Sequence, residues 1–258
     1  MDMIIFGGQS NMQGQSDALT STAVVENCYE YRFLTDEVVP LKNPVGEDIA
    51  ADFNKGYAFT KGANSGEWLE KHITGSSCYG NTNLVPEFCR VYNEITKREV
   101  LAVHIAKGST VIAQWLPGTK GYEILIKKSF AAKKDKKIEH IFFVWLQGES
   151  DAIMSNTKDY YKEKTTELCA ALKEDIGIEK FGIIRVGRFV NDQRDDEIIS
   201  AQDEICKEND DFLMLTEIAV ELNKQPEYMN PFVGGHYSAK GLEKLGAAAA
   251  ETLANEYK

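Results

Sequence analysis

The chain holds little with which to grip a polyanion, a metal ion or a bilayer. Its 258 residues carry 29 Lys and Arg against 40 Asp and Glu, a formal net charge of −11. Neutralising phosphates takes clustered cations, so neither nucleic acid nor an anionic membrane is an expected partner. The one basic run, Lys133-Lys134-Asp135-Lys136-Lys137, closes a helical pattern, where cations suit the helix end. No apolar run approaches the roughly 20 residues that span a bilayer. Five cysteines (Cys28, Cys78, Cys89, Cys169, Cys206) are scattered without a CxxC pair or a histidine at ligand spacing, so no metal is expected. Their odd number and spacing suit reduced thiols. The start, Met1-Asp2-Met3-Ile4-Ile5-Phe6, lacks the cationic opening and longer apolar stretch of a signal peptide. A cytoplasmic location is therefore expected, a trimmed secretion leader being the alternative. Nothing in the residues sets an oligomeric state.

What is present is an alternation of short apolar runs with longer amphipathic ones, the pattern of parallel strands joined by crossover helices. Strands are predicted at Met3–Phe6, Val100–Ala106, Ile138–Leu146, Phe181–Val186 and Phe212–Leu215, each near-continuously apolar as in a sheet covered on both faces. Helices are predicted at Val85–Thr96, Tyr122–Lys133, Lys158–Asp175, Asp195–Glu208 and Ala239–Tyr257, with Ser238 as an N-cap and Gly177 just past a helix end. The length fits one α/β domain, residues 1–258. From about Gly14 to Asn83 the pattern dissolves into Gly, Asn, Ser and aromatic residues, read as a long excursion beside the sheet.

Chemistry concentrates at the predicted strand ends. The first strand runs into Gly7-Gly8-Gln9-Ser10-Asn11-Met12-Gln13-Gly14, where two glycines permit a sharp turn that leaves the Ser10 hydroxyl at the carboxyl edge of the sheet. The competing reading makes Ser10 a helix cap. A dinucleotide turn fits poorly, because Gly7-Gly8 is next followed only by Gly14. A serine needs a base, and the chain has four histidines. His104 and His140 fall in apolar strand runs and read as structural, whereas His72 sits in the excursion. His236, in Gly234-Gly235-His236-Tyr237-Ser238, precedes the last helix at a sheet edge. An orienting carboxylate is offered by Glu149 or Asp151 in Gln147-Gly148-Glu149-Ser150-Asp151, at the end of the third strand. Sequence alone leaves that choice open.

Taken in order, Gly8-Gln9-Ser10-Asn11-Met12-x-Gly14, Lys107-Gly108-Ser109-Thr110-x-Ile112-x-x-Trp115, Trp145-x-Gln147-Gly148-Glu149-x-Asp151 and His236 resemble the blocks of the SGNH-hydrolase superfamily. More narrowly they resemble its sialate O-acetylesterase and acetylxylan esterase branch. The resemblance implies a three-layer α/β/α, flavodoxin-like fold around a central five-stranded parallel sheet, and hydrolysis of acetylated carbohydrates without metal or cofactor. It casts Ser10 as nucleophile, His236 as base and Glu149 as the acid. The Ser10 and Gly108 N–H groups and the Gln147 amide become oxyanion donors, and Gln9 and Asn11 substrate-side neighbours. Trp115, with Tyr57, Phe59, Trp68 and Tyr79, is expected to form an apolar rim for a sugar ring. Two positions depart from the family pattern. Val233 stands where an Asp three residues before the histidine is common, and Ser109 where a second glycine is frequent. Two other functions fit the same blocks: a general esterase on small acyl or lipid esters, and a carbohydrate-binding relative without turnover.

Overall fold

The computed structural model describes residues 1–47 and 82–258 in full and, between them, the backbone of two short strands. Its strands are β1 (Asp2–Gly8), β2 (Cys28–Arg32), β3 (Glu37–Pro40), β4 (Ile49–Asp52), β5 (Gly56–Phe59), β6 (Val100–Ala106), β7 (Ile141–Leu146), β8 (Lys180–Ile184) and β9 (Phe212–Thr216). Seven of them form one sheet in the order β3-β2-β6-β1-β7-β8-β9, while β4 and β5 make a separate hairpin. The five predicted strands are the run β6-β1-β7-β8-β9, all parallel. Numbered by their own sequence order they read 2-1-3-4-5, the flavodoxin arrangement.

The sheet is wider than predicted. Strand β2 pairs parallel with β6, and β3 closes that edge antiparallel to β2. Part of the excursion therefore extends the sheet instead of lying beside it.

Eight α-helices occur among the described residues: α1 (Ser10–Gln13), α2 (Val85–Thr96), α3 (Lys120–Lys133), α4 (Glu149–Ile153), α5 (Lys158–Asp175), α6 (Gln193–Glu208), α7 (Ala219–Asn223) and α8 (Ala239–Tyr257). Alternation along β7 shows how they clothe the sheet, since successive strand side chains point to opposite faces. Phe142 lies 6.3 Å from Tyr92 of α2 and 4.5 Å from Tyr257 of α8. On the other face Trp145 donates its indole N–H to Tyr161 of α5. So α2 and α8 cover one face and α5 the other, completing three layers. Every residue of β1 and β6 is buried. Each large side chain withdrawn from water there contributes about 1.5–3 kcal/mol.

Helix ends follow local rules. The Ser238 hydroxyl accepts the Gly241 N–H at 3.2 Å, capping α8, and Gly177 takes φ 82° after α5, a backbone shape that favours glycine. Cys28, Cys89, Cys169 and Cys206 are free thiols, and Cys78 lies outside the described residues. Among the described residues no helix is long and apolar enough to cross a membrane.

Register decides where the site sits. Gly8 is level with Ala106 on one side and with Leu146 on the other. The last rungs of β1, β6 and β7 therefore coincide, and the three motif-bearing loops leave the sheet side by side. This is also where strand order reverses, the crevice in which open α/β sheets bind ligands.

Candidate active site

Gly8 makes the first turn possible. Its φ is 150°, and a Cβ there would be driven into the Leu146 carbonyl oxygen. Backbone bonds Gln9 N–H to Leu146 O (3.1 Å) and Lys107 N–H to Gly8 O (3.0 Å) lash the three strand ends together. Ser10 then opens α1 at 5% exposure. The N-cap position belongs to Gln9, which makes no side-chain cap bond, so the cap reading of Ser10 is not what the structure holds. The Ser10 Oγ has no hydrogen-bond partner among the described residues.

His236 reaches the same edge by a pinned loop. Asn230 N–H bonds the His236 carbonyl at 2.8 Å and Ser238 N–H the Tyr228 carbonyl at 2.9 Å, closing residues 230–236 into a narrow turn. Three further bonds tie this segment to the turn that carries Ser10: Tyr237 N–H to Asn11 Oδ1 (3.2 Å), Asn230 Nδ2 to the Gln15 carbonyl (3.0 Å) and Ala239 N–H to Asp17 Oδ1 (2.8 Å). Residues adjacent to Ser10 and to His236 are thus directly bonded. The His236 Nδ1 lies 3.0 Å from the Gly234 carbonyl, which can only accept; Nδ1 therefore carries the proton and Nε2 keeps its lone pair. Burial holds this imidazole below the ordinary histidine pKa, with the Gly234 and Val233 carbonyls opposing. Phe189 packs edge-on against the ring at 5.5 Å.

Glu149 is placed differently from the triad expectation. Its Oε1 accepts from Asn11 Nδ2 at 2.7 Å; among the described residues its buried Oε2 has no partner and no hydrogen bond joins it to His236. Burial raises its pKa, and the Asn11 bond offsets only part of the rise. Asn11 is therefore the hub, holding the Glu149 carboxyl with one end of its amide and the Tyr237 backbone with the other.

Gln147 and Asp151 brace the second motif. Gln147 Nε2 donates to Asp151 Oδ2 (2.5 Å) and the Thr110 carbonyl (2.8 Å), with Gln9 Oε1 at 3.3 Å. Both amide hydrogens are thereby committed inside the protein. Asp151 also accepts Ile112 N–H at 3.0 Å and Asn156 Nδ2 at 2.6 Å. Wholly buried, it has a raised pKa from that burial. Gln9 is buried too, its Oε1 accepting the Ser150 N–H at 3.2 Å.

Gly108 lies over Ser10: a Cβ added there would stand 3.4 Å from that of Ser10. Next to it, Ser109 takes φ 62°, a left-handed conformation that costs a residue with a Cβ about 1–2 kcal/mol. The departure from glycine at this position is therefore carried as strain.

Trp115 is a correction. It is 0% exposed, edge-on to Trp145 at 5.8 Å, with its indole N–H on Thr110 Oγ1 at 3.0 Å. It is core that supports the loop, not a rim for sugar. The side chains of Tyr57 and Phe59, and all of Trp68, His72 and Tyr79, lie outside the described residues. His104 is buried as expected, yet its Nε2 meets the Met12 carbonyl at 2.9 Å, anchoring the Ser10 turn to β6. Gln13, Gln15, Asn230 and Phe189 were not singled out from sequence. Only Asn230, in the turn-forming pair Asn230-Pro231, carries a local signal.

Comparison with known proteins places the chain in a family. The profile of the carbohydrate esterase, sialic acid-specific acetylesterase family matches residues 1–255. A probable carbohydrate esterase of Arabidopsis thaliana is 24% identical over 196 residues, spanning 71% of this chain and 67% of that one. A solved structure from Arabidopsis thaliana superposes with a TM-score of 0.63 at 16% identity, covering 99% of this chain and 98% of its own. The structure of NanS does so with a TM-score of 0.63 at 11% identity, covering 99% and 95%. With this fold, and with a family match spanning almost every residue, the chain belongs to the sialic acid-specific acetylesterase family of carbohydrate esterases and is a carboxylic ester hydrolase.

Proposed function

We propose that the protein removes O-acetyl groups from carbohydrates, such as acetylated sialic acid or acetylated xylan-type sugars, through an acyl-enzyme on Ser10. The observation that carries this reading is the bond between Asn11 and Tyr237, which ties the segment of the unpartnered Ser10 hydroxyl to that of an imidazole with a free Nε2. Ser10 Oγ attacks the acetyl carbonyl while His236 Nε2 takes its proton. The tetrahedral oxyanion falls to the Ser10 and Gly108 N–H groups, fixed donors of a kind whose removal typically costs about 3–4 kcal/mol. Collapse expels the sugar oxygen, which takes the proton from His236. Water, activated by the same imidazole, then releases acetate and restores Ser10. Gln147 serves this site as a brace, because its amide hydrogens are committed to Asp151 and Thr110.

The Gly234 carbonyl orients the imidazole, and Glu149 acts on it indirectly through Asn11. Replacement Glu149→Gln is accordingly expected to lower kcat only about tenfold, the scale of one well-placed hydrogen bond. Its stability effect has a definite sign. A carboxyl with a raised native pKa contributes stability that is complete below its unfolded value and lost as pH rises through its native one. In urea titrations the variant should therefore lose less stability than the wild type between pH 4 and pH 7.

The function is tested by acetate release from acetylated sialic acids, acetylated xylo-oligosaccharides and a p-nitrophenyl series from acetate to octanoate. Deacetylation of a sugar with rates falling along the acyl series is expected. Preference for octanoate would make the protein a general esterase, and no turnover of any ester would make it a binding relative.

A further inference from the structure

The turn that carries His236 is built around one side chain. Of residues 230–235 only Asn230 is buried, while Pro231, Phe232 and Gly234 are exposed. A Cβ added at Gly234 would meet nothing within 4 Å, so close packing does not fix the residue whose carbonyl faces the imidazole. Phe189 packs beneath Gly235 and against the ring, but an apolar contact does not choose between two ring nitrogens. Hydrogen bonds from Asn230 supply what packing leaves open. Its Oδ1 accepts the Phe232 N–H at 2.9 Å and the Val233 N–H at 3.3 Å, bending the chain directly after Asn230-Pro231. Its backbone N–H holds the His236 carbonyl at 2.8 Å, and its Nδ2 donates to the Gln15 carbonyl at 3.0 Å. The amide cannot be turned round, because the flipped group would set its NH2 against two N–H donors and its oxygen against a carbonyl.

We infer that Asn230 is the positioning residue of the base: its amide oxygen folds the turn that aims the Gly234 carbonyl at His236 Nδ1, and its amide nitrogen holds that turn against the Ser10 segment. The imidazole has no hydrogen bond from Glu149 among the described residues, and its Nδ1 meets a backbone carbonyl instead. A carbonyl on an exposed turn is only as well placed as the turn itself. Without it the ring proton is free to sit on either nitrogen, and a ring protonated at Nε2 has no lone pair there to take a proton from serine. The two ends of the Asn230 amide therefore do separate work. The oxygen selects the tautomer, and the nitrogen sets where the ring stands relative to Ser10. An aspartate would keep the acceptor and lose the donor, which makes the two roles separable by experiment.

The inference rests on the reading of Ser10 and His236 as the reacting pair, and one arm of its test needs no turnover. Nuclear magnetic resonance of nitrogen-labelled histidine reads the tautomer directly, with His236 identified by the signals missing from His236→Ala. At a pH well above the ordinary histidine value of about 6.5 the wild type should hold the Nδ1–H form. Asn230→Ala should mix the two forms and lower kcat for p-nitrophenyl acetate about ten- to a hundredfold, with KM moved about twofold at most, as for a misplaced reacting group. Asn230→Asp should restore the Nδ1–H form yet stay about tenfold low in kcat, the change one hydrogen bond carries. An intact Nδ1–H form in Asn230→Ala would overturn the inference at any rate of turnover. So would loss of that form in Asn230→Asp, or wild-type kcat in both variants. Should the alanine variant fail to fold, the aspartate variant decides by the same two readings. Should the wild type hydrolyse no ester, the reading of Ser10 and His236 fails, and the tautomers of the variants still decide for or against Asn230.

Discussion

Ser10→Ala is expected to cut acetyl-ester hydrolysis by about 10⁴- to 10⁶-fold while leaving the fold in place. The size follows from the role proposed for the hydroxyl: without it there is no covalent intermediate, and imidazole and oxyanion donors act on a bound ester with no partner between them. The intact fold follows from the structure. The Ser10 hydroxyl neither caps α1 nor bonds any described residue, so its removal leaves no buried group unsatisfied. A thermal melt within a few degrees of wild type, together with a collapse in kcat, is the expected pair of results. Full activity in this variant would end the assignment of the nucleophile.

The second large effect belongs to His236. Replacement by alanine should cost about 10³-fold or more in kcat, because it removes the proton acceptor proposed for the serine. The wild type adds a pH signature that a merely structural histidine would not give. Only the neutral ring can take the proton, and burial favours that neutral form. The acid limb of kcat/KM should therefore lie below the ordinary histidine value of about 6.5, with activity retained above it and lost as pH falls through it. The same sign holds for stability. A depressed histidine pKa contributes stability that is present above the unfolded value and disappears as pH falls through the native one. An acid limb at or above about 6.5 would show that another group controls the rate.

How much of this was legible in the residues depended on how local the signal was. The five core strands were readable because each is buried on both faces and so is written as an unbroken apolar run. Strand β3, Glu37-Val38-Val39-Pro40, was not, since it lies at an edge with most of its side chains exposed. Strand β2 mixes Glu30 and Arg32 into its run, and it belongs to the sheet only by pairing with β6. In the site, Ser10, Gly108, Glu149 and His236 were visible as ordered motif residues at strand ends. What a motif does not encode is the hydrogen-bond partner. The Glu149 bond to Asn11, 138 positions away, and the Gln147 donation to the Thr110 carbonyl, 37 positions away, depend on where distant parts of the chain come to rest. Trp115 illustrates the limit from the other side. A tryptophan beside a motif reads equally well as platform or core, and only the edge-on contact with Trp145 decides.

The coincidence of the final rungs of β1, β6 and β7 gives the chemistry an unusual sensitivity to length. Each strand residue advances the chain about 3.3 Å and turns the next side chain to the opposite face. Deleting one residue from the middle of any of these three strands would draw its loop down by that step and invert what it presents. The Ser10 hydroxyl, the Gly108 N–H and the Gln147 amide would no longer meet. Substitutions within these strands can be absorbed by repacking, but a change in their count cannot, so in this fold the spacing of the motifs from the strand interiors is as binding a constraint on the proposed site as the motif residues themselves.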